Sequence, residues 1–306
     1  DKSRVGEADL ALQRTHIELV ADPGAPQMSF AAARSTQPSF VEGNLVFTEL
    51  GSEKPYAYAS PPPEGAPQNN IVTKAHAVRV ANAREAEETF ALDVHGFEIV
   101  GHKTAVRDFW DEAQTLALGH PETADLVKRV TGAARVVVFD HTLRRRLEGT
   151  NDRTPGVVRQ PAARVHVDQT VKSGPQRVRD LMGDQAEGLL SRRAAIINVW
   201  RPIARPARDW PLAVADARSV GRDDLIASDL IFAHRRGEIY SVAYNPDQRW
   251  WYVPDLAPDE AILIKCWDSE EAVARFAPHT GFEDPTTPKD APLRESIEFR
   301  TIAFFD

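Results

Sequence analysis

Short runs in which apolar and polar positions alternate dominate the second half of the chain, and this is the pattern of strands with one buried face. The segment at 135–141 is strongly β-branched and is the clearest of them. Further strands are predicted at 43–50, within 71–100, and at 163–168, 194–200, 239–244, 250–253, 261–267 and 296–305. Strands this short and numerous predict an antiparallel barrel or jelly roll.

Three segments instead repeat their apolar residues at helical spacing. Between 106 and 129 the pattern is interrupted at His120-Pro121-Glu122, which predicts two helices, the second beginning near Pro121. The segments 176–190 and 268–276 are predicted as further helices. The fold class that follows is mainly β, with helices flanking a jelly-roll, cupin-like core.

The first 70 residues differ in composition from the rest of the chain. They are rich in Pro, Ala and Ser, and they end in the non-helical connector Pro61-Pro62-Pro63-Glu64-Gly65-Ala66-Pro67. We therefore predict an N-terminal arm or cover segment at 1–70 and one main domain at 71–306.

Composition narrows the class of protein. With 42% hydrophobic and 27% charged residues the chain is an ordinary globular sequence, and its net charge of -8 disfavours a nucleic-acid or membrane-surface partner. The single cysteine, Cys266, excludes an internal disulfide and fits a reducing compartment. There is no apolar run of membrane-spanning length, no recognisable secretion signal and no glycine-rich phosphate loop. We expect a cytoplasmic protein that acts on a small molecule.

The candidate chemistry begins with the motif His166-Val167-Asp168. Side chains alternate faces along a strand, so His166 and Asp168 point the same way and can meet at one metal ion. Alone, this pair is more typical of a strand histidine that is hydrogen-bonded to a neighbouring carboxylate. A third ligand is required, and the two histidines downstream are His279, which is favoured, and His234, which lies in a polar turn.

Arg294 and Ser296 follow His279 and open the last predicted strand. An arginine can bind a carboxylate with two hydrogen bonds, and a hydroxyl two residues further on faces the same way. Two histidines and one carboxylate leave coordination positions open, as iron(II) oxygenases require. The order His-x-Asp, His, Arg-x-Ser therefore predicts a site for iron(II), 2-oxoglutarate and O2.

From about Tyr56 to its end, the sequence resembles the bacterial and fungal hydroxylase/desaturase family that includes the aspergillic-acid hydroxylase, the fungal gibberellin desaturase and the cephalosporin 7-methoxylation component. The resemblance rests on six strings: Asp93-Val94-His95-Gly96-Phe97-Glu98, Val138-Phe139-Asp140-His141-Thr142, His166-Val167-Asp168, Asn198-Val199-Trp200-Arg201-Pro202, Lys265-Cys266-Trp267-Asp268-Ser269 and the segment 279–300.

The resemblance implies a double-stranded β-helix core, iron ligation by His166, Asp168 and His279, and a co-substrate clamp at Arg294 and Ser296. Arg300 and Arg201 are rivals for the distal carboxylate of 2-oxoglutarate. Asn198 either hydrogen-bonds the co-substrate or completes a strand end. The candidate substrate contacts are Tyr244 and Trp200, and for Tyr244 a place in the core is the alternative.

The predicted activity is hydroxylation or desaturation of a small molecule, with release of succinate and CO2. One alternative is a cupin-like metal-dependent hydrolase or isomerase, which has no need of Arg294 and Ser296. The other is a non-catalytic barrel that binds a small molecule. The sequence leaves the substrate and the oligomeric state open.

Overall fold

The structure is a computed structural model, and it describes residues 38–149 and 158–306. The first 37 residues of the predicted arm lie outside the described residues. The described residues form fourteen strands: β1 (Phe40–Thr48), β2 (Tyr56–Tyr58), β3 (Thr73–Asn82), β4 (Phe97–Gly101), β5 (Arg135–Arg145), β6 (His166–Val167), β7 (Ala194–Pro202), β8 (Leu212–Ala215), β9 (Leu225–Ile231), β10 (Arg236–Val242), β11 (Trp250–Tyr252), β12 (Glu260–Asp268), β13 (His279–Gly281) and β14 (Glu295–Phe304).

The helices of the described residues lie between these strands. They are α1 (Leu92–His95), α2 (Glu112–Gln114), α3 (His120–Thr131), α4 (Ser173–Met182) and α5 (Ala186–Leu190). A π-helical turn (Thr115–Gly119) joins α2 to α3. The predicted break before Pro121 is therefore a change of helical pitch and not a gap, because Pro121 at the start of α3 needs no backbone N–H.

The strands form two sheets. The nine-stranded sheet has the order β1-β3-β11-β8-β13-β6-β10-β9-β2, and the five-stranded sheet has the order β4-β12-β7-β14-β5. All pairings are antiparallel except those of β11 with β3 and of β2 with β9. The predicted mainly β, jelly-roll class is confirmed.

The two faces of the five-stranded sheet have different partners. Odd-numbered residues such as Ile197 on β7 and Phe299 on β14 join a buried apolar cluster with Leu126 of α3. Asn198 points the other way and reaches Asp168, which follows β6 of the nine-stranded sheet. Alternation along β7 thus separates a helix-covered face from a face that meets the other sheet.

In the nine-stranded sheet, β6 is paired with its neighbours through very few residues. This strand has two residues, and it pairs with β10 through both and with β13 only through His166 opposite His279. Just before β6, the N–H of Val165 donates to the carbonyl of Val46 on β1. The first strand therefore contacts the segment that leads to β6, while the predicted domain boundary near residue 70 stays a prediction.

The predicted helix at 268–276 is wrong. After Asp268 the chain makes a bend, a turn and an extended segment. The N–H of Ala274 donates to the carbonyl of Asp93, and that of Ala277 donates to the carbonyl of Lys265. Backbone hydrogen bonds to neighbouring segments replace those of a helix. The sequence also gave no indication of β2, β8 and β9, which are too short or too mixed in pattern.

Candidate active site

Two strands and one loop bring three metal-binding side chains together. His166 begins β6, Asp168 follows it, and His279 begins β13 directly opposite His166. The imidazole centroids are 4.6 Å apart, and His166 Nε2 lies 3.5 Å from Asp168 Oδ1. The candidate ligand atoms all lie within 4.8 Å of one another. The predicted triad is therefore brought together.

Both imidazoles are oriented by the same local contact. Nδ1 of His166 lies 2.8 Å from the carbonyl of Arg164, and Nδ1 of His279 lies 3.0 Å from the carbonyl of Ala277. A carbonyl only accepts, so each Nδ1 carries the proton and each Nε2 keeps its lone pair. Nε2 of His279 is buried and has no hydrogen-bond partner among the described residues. A metal ion would satisfy it.

The charges of the triad suit a divalent cation. Burial, followed by the neighbouring imidazole of His279, lowers the pKa of His166 to about 3, so His166 is neutral near pH 7. Burial alone would raise the pKa of Asp168, but the Arg300 guanidinium, the imidazoles of His166 and His279 and the Asn198 amide together hold that pKa well below its usual range. A neutral imidazole therefore lies beside an ionised carboxylate.

Two residues of the five-stranded sheet hold Asp168 from behind. The side-chain amide of Asn198 donates to Asp168 Oδ2 at 2.7 Å, and Arg300 Nε donates to the same oxygen at 3.4 Å. Oδ1 is left on the side of the imidazoles. Oδ1 of Asn198 is itself buried without a partner among the described residues, so the amide can also accept a hydrogen bond from a bound molecule.

Arg294 and Ser296 form a second buried polar site. Only 3% of Arg294 and 1% of Ser296 is exposed, and neither Arg294 Nε nor Ser296 Oγ has a hydrogen-bond partner in the described chain. Arg294 is held by the carbonyl of Trp210 and packs on the ring of Trp200, whose centroid lies 5.4 Å from Cζ. Buried donors left unpaired mark the place of an acceptor, and a carboxylate fits a guanidinium and a hydroxyl.

The rival arginines are engaged elsewhere. Arg300 donates to Asp140, Thr142 and Glu298 as well as to Asp168. Arg201 and Trp200 are neighbours on β7, so their side chains point to opposite faces of the sheet. Arg201 is on the helix-covered face. There its guanidinium contacts the ring of Phe109 at 5.6 Å and donates to a backbone carbonyl.

Comparison with known proteins agrees with this geometry. Residues 45–304 match a family model described as an oxidoreductase/YMDC permease-like domain. The Fe(II)/2-oxoglutarate-dependent dioxygenase nvfI of Aspergillus novofumigatus is 31% identical over 87% of this chain and 97% of its own length. The hydroxylase/desaturase efuI of Hormonema carpetanum is 34% identical over 75% of this chain and 83% of its own length.

A solved structure of the iron and alpha-ketoglutarate-dependent endoperoxidase NvfI superimposes with a TM-score of 0.79 at 33% identity, covering 87% of this chain and 98% of that one. The chain belongs to the iron(II)/2-oxoglutarate-dependent dioxygenase family. Its predicted enzyme class and its use of iron(II), 2-oxoglutarate and O2 are confirmed. No helix among the described residues of this dioxygenase is long and apolar enough to cross a membrane.

The remaining residues that were predicted for the site of the dioxygenase lie in different surroundings. Trp200 is buried in an apolar cluster beside Arg294. Tyr244 is 38% exposed and stacks on His76 with centroids 4.0 Å apart, so the structure does not bring it to the triad. His234, the rival third ligand, is exposed in the turn between β9 and β10.

A second carboxylate–histidine cluster of the dioxygenase consists of Glu88, His95 and Asp216. His95 Nδ1 accepts from the N–H of Ala91, so its Nε2 carries the proton and donates to Glu88 at 3.0 Å. Arg218 donates to both carboxylates. The cluster is satisfied internally, which explains the buried histidine of the Asp93–Glu98 motif without a metal.

Sequence reasoning missed the cavity beside the triad. It has a volume of about 670 Å³, it is lined by Asp168, by α4 and by the hairpin of β9 and β10, and it contains Arg177 and Arg235. A cavity of this size suits a small-molecule ligand. Its one signal in the sequence was the predicted helix at 176–190, because β9 was not predicted.

Proposed function

We propose that His166, Asp168 and His279 hold iron(II), that Arg294 and Ser296 bind the distal carboxylate of 2-oxoglutarate, and that the enzyme hydroxylates or desaturates a small molecule. The observation that carries the proposal is the set of buried unpaired atoms, His279 Nε2, Arg294 Nε and Ser296 Oγ. An imidazole nitrogen fits a metal, and the other two fit an anion.

The triad residues prepare this site in advance. Backbone carbonyls fix both imidazole rings, and Asn198 with Arg300 keeps Asp168 ionised and turned toward them. Bound iron(II), with 2-oxoglutarate and O2, supplies oxidative decarboxylation to succinate and CO2 coupled to oxidation of a C–H bond. Two imidazoles and a carboxylate would hold the metal and leave coordination positions open for the co-substrates.

Arg294 is favoured over its rivals because it alone combines burial with an unpaired donor next to an unpaired hydroxyl on the same face of β14. It is held by Trp210 and Trp200, so little side-chain freedom is lost on binding. Trp200, which is buried and packs on Arg294, would keep water away from the guanidinium that binds the co-substrate.

The small-molecule substrate is supported by the cavity and by the relatives, whose names include hydroxylase/desaturase and endoperoxidase. The hydroxylation or desaturation outcome is proposed on the same basis, with a secondary metabolite as substrate. A cytoplasmic location, and the lack of nucleic-acid or membrane partners, stay predictions. A hydrolase or isomerase has no use for an unpaired Arg294 and Ser296, and failure to bind iron(II) or manganese(II) with all three ligands intact would favour a non-catalytic binding barrel.

The test measures succinate from 2-oxoglutarate with iron(II) and ascorbate. Arg294→Met is compared with Arg192→Met, a control at a side chain that is 65% exposed. Losing charge-assisted hydrogen bonds of about 1.5–3 kcal/mol should raise the KM for 2-oxoglutarate roughly 10- to 100-fold. Metal affinity should not change, whereas Asp168→Ala should abolish it. A parent-like KM in Arg294→Met, with a raised KM in Arg300→Met or Arg201→Met, would reassign the clamp.

A further inference from the structure

The cavity beside Asp168 contains more positive charge than its own acids neutralise. Among its acidic residues, Asp229 and Glu238 both accept from Lys54, at 2.5 and 2.6 Å, and Arg236 also lies 3.4 Å from Asp229. Asp180 accepts from the side-chain amide of Gln176. Asp229 and Glu238 are therefore paired with cations, whereas the amide of Gln176 is neutral and leaves the charge of Asp180 in place.

Three cations of the same cavity remain. Lys172, Arg177 and Arg235 have no carboxylate within 4.0 Å in the described parts of the chain, 38–149 and 158–306. Like charges gathered around one cavity repel each other, and each needs an anion or water to offset that repulsion. Cations at the surface commonly form hydrogen bonds with water. A cation that is shielded from water therefore has the greatest need of a bound anion.

Arg177 is such a residue. It lies on α4, where its guanidinium packs near the ring of Phe139, with Cζ 5.8 Å from the ring centroid, and its Nε is buried with no partner among the residues that the structure describes. Arg300 and Asp140, the residues behind the triad, are close enough to affect its charge, and so is Arg235. Arg177 therefore lies within electrostatic range both of the residues behind the triad and of Arg235.

Arg235 lines the same cavity but, unlike the half-buried Arg177, it is exposed. It lies in the turn between β9 and β10, and its guanidinium stacks on the ring of Phe232 at 3.9 Å. Stacking on an aromatic face leaves the edges of a guanidinium free, and those edges are what a carboxylate binds. Apolar side chains of Leu230, Phe232 and Ile239 line the same cavity.

We propose that the substrate of this dioxygenase is a carboxylic acid with an apolar body, whose carboxylate is bound by Arg177 and Arg235 while its apolar part packs against Leu230, Phe232 and Ile239 in the cavity beside Asp168. The proposal rests on the proposed function, since it assigns the substrate class of the same site. A singly charged carboxylate suits the cavity better than a more highly charged group does, because Asp180, which has no cation within 4.0 Å among the described residues, would repel additional negative charge.

The test uses the enzyme loaded with manganese(II) and 2-oxoglutarate under anaerobic conditions. The probes are naphthoic, decanoic and abietic acids, each paired with its methyl ester. Binding is measured by the relaxation that manganese(II) induces in the probe protons, which reports both affinity and proximity to the metal. At least one acid should bind about ten times more tightly than its ester and show relaxation of protons remote from its carboxylate.

The variants are Arg177→Gln, Arg235→Gln and their combination, with Arg192→Gln as the exposed control. The double variant should lose the preference for the acid and keep the parent's affinities for manganese(II) and 2-oxoglutarate. Equal binding of acids and esters in the parent, or an unchanged preference in the double variant, overturns the proposal.

The failure of the two proposals can be distinguished. If the parent releases no succinate from 2-oxoglutarate, the proposed function fails, whereas the acid–ester comparison still decides the substrate class. If Arg177→Gln raises the KM for 2-oxoglutarate, that arginine serves the co-substrate, and the proposed substrate contact is wrong.

Discussion

Asn198 offers a direct test of how the triad is held. Its amide donates to Asp168 Oδ2 at 2.7 Å, and Asn198 is fully buried. In Asn198→Leu, a side chain of similar size, that donor is lost and Oδ2 keeps only the longer contact of 3.4 Å with Arg300. The carboxylate is then free to turn, and its negative charge is less well stabilised.

The magnitude follows from the charge on the acceptor. A hydrogen bond to a charged group contributes about 1.5–3 kcal/mol, and removing a residue that orients a ligand weakens metal binding about 10- to 100-fold. Anaerobic titration of manganese(II), followed by the electron paramagnetic resonance of the free ion, should show this loss. The KM for 2-oxoglutarate, measured at saturating metal, should change less.

Asn82→Leu is the matched control. Asn82 is also buried, and its side chain accepts from the backbone N–H of Arg84 in the turn after β3. This variant should lose stability with no change in metal affinity. A metal affinity in Asn198→Leu within threefold of the parent would refute the idea that the amide orients Asp168.

Three further predictions concern stability, measured by urea unfolding. Gly174→Ala should cost about 1–3 kcal/mol, because a Cβ at this position would lie 2.4 Å from an indole ring on β12, whereas Gly188→Ala, in open space on α5, should be neutral or stabilising. Burial, then the charge of a nearby arginine, lowers the pKa of His102 to about 4, so the unfolded chain takes up a proton first and stability is lost as pH falls from about 6.5 toward 4. After discounting for solvent screening we expect His102→Gln to reduce the loss between pH 7 and pH 5 by about 1 kcal/mol, and His234→Gln, at an exposed position, to leave it unchanged; equal curves for both would contradict this. Lys265→Met should lower the free energy of unfolding by about 3 kcal/mol or more, because it removes a buried ammonium from Asp93 and Asp268. A loss below about 1 kcal/mol would show that Arg193 alone is enough to stabilise both carboxylates.

The sequence allowed the triad and the buried pair of Arg294 and Ser296 to be picked out because both depend on local rules. Alternation along a strand places His166 beside Asp168, and the same rule places Arg294 beside Ser296. The choice of His279 over His234 required only that one lie near an Arg-x-Ser motif. The structure brings His166, Asp168 and His279 together. It leaves Arg294 Nε and Ser296 Oγ without a partner among the described residues, as a bound anion would require.

The cavity could not be predicted in this way, because its walls come from segments that have no common pattern. Arg177 lies on a helix and Arg235 in a turn between two strands, one of which the sequence did not reveal. The erroneous helix after Asp268 has a related cause. Its residues have helical spacing, but their backbone donors are used by α1 and β12, contacts that local propensity does not include.

The pairing of β6 with β13 through a single residue pair has a consequence for the whole enzyme. Two short strands that share one row of contacts would separate easily, yet this row carries both imidazoles. An ion bound by both imidazoles would link β6 to β13 in the middle of the larger sheet. Chelation should then loosen the amide protons of these strands long before the molecule unfolds, so the cofactor that supplies reactivity also supplies local rigidity.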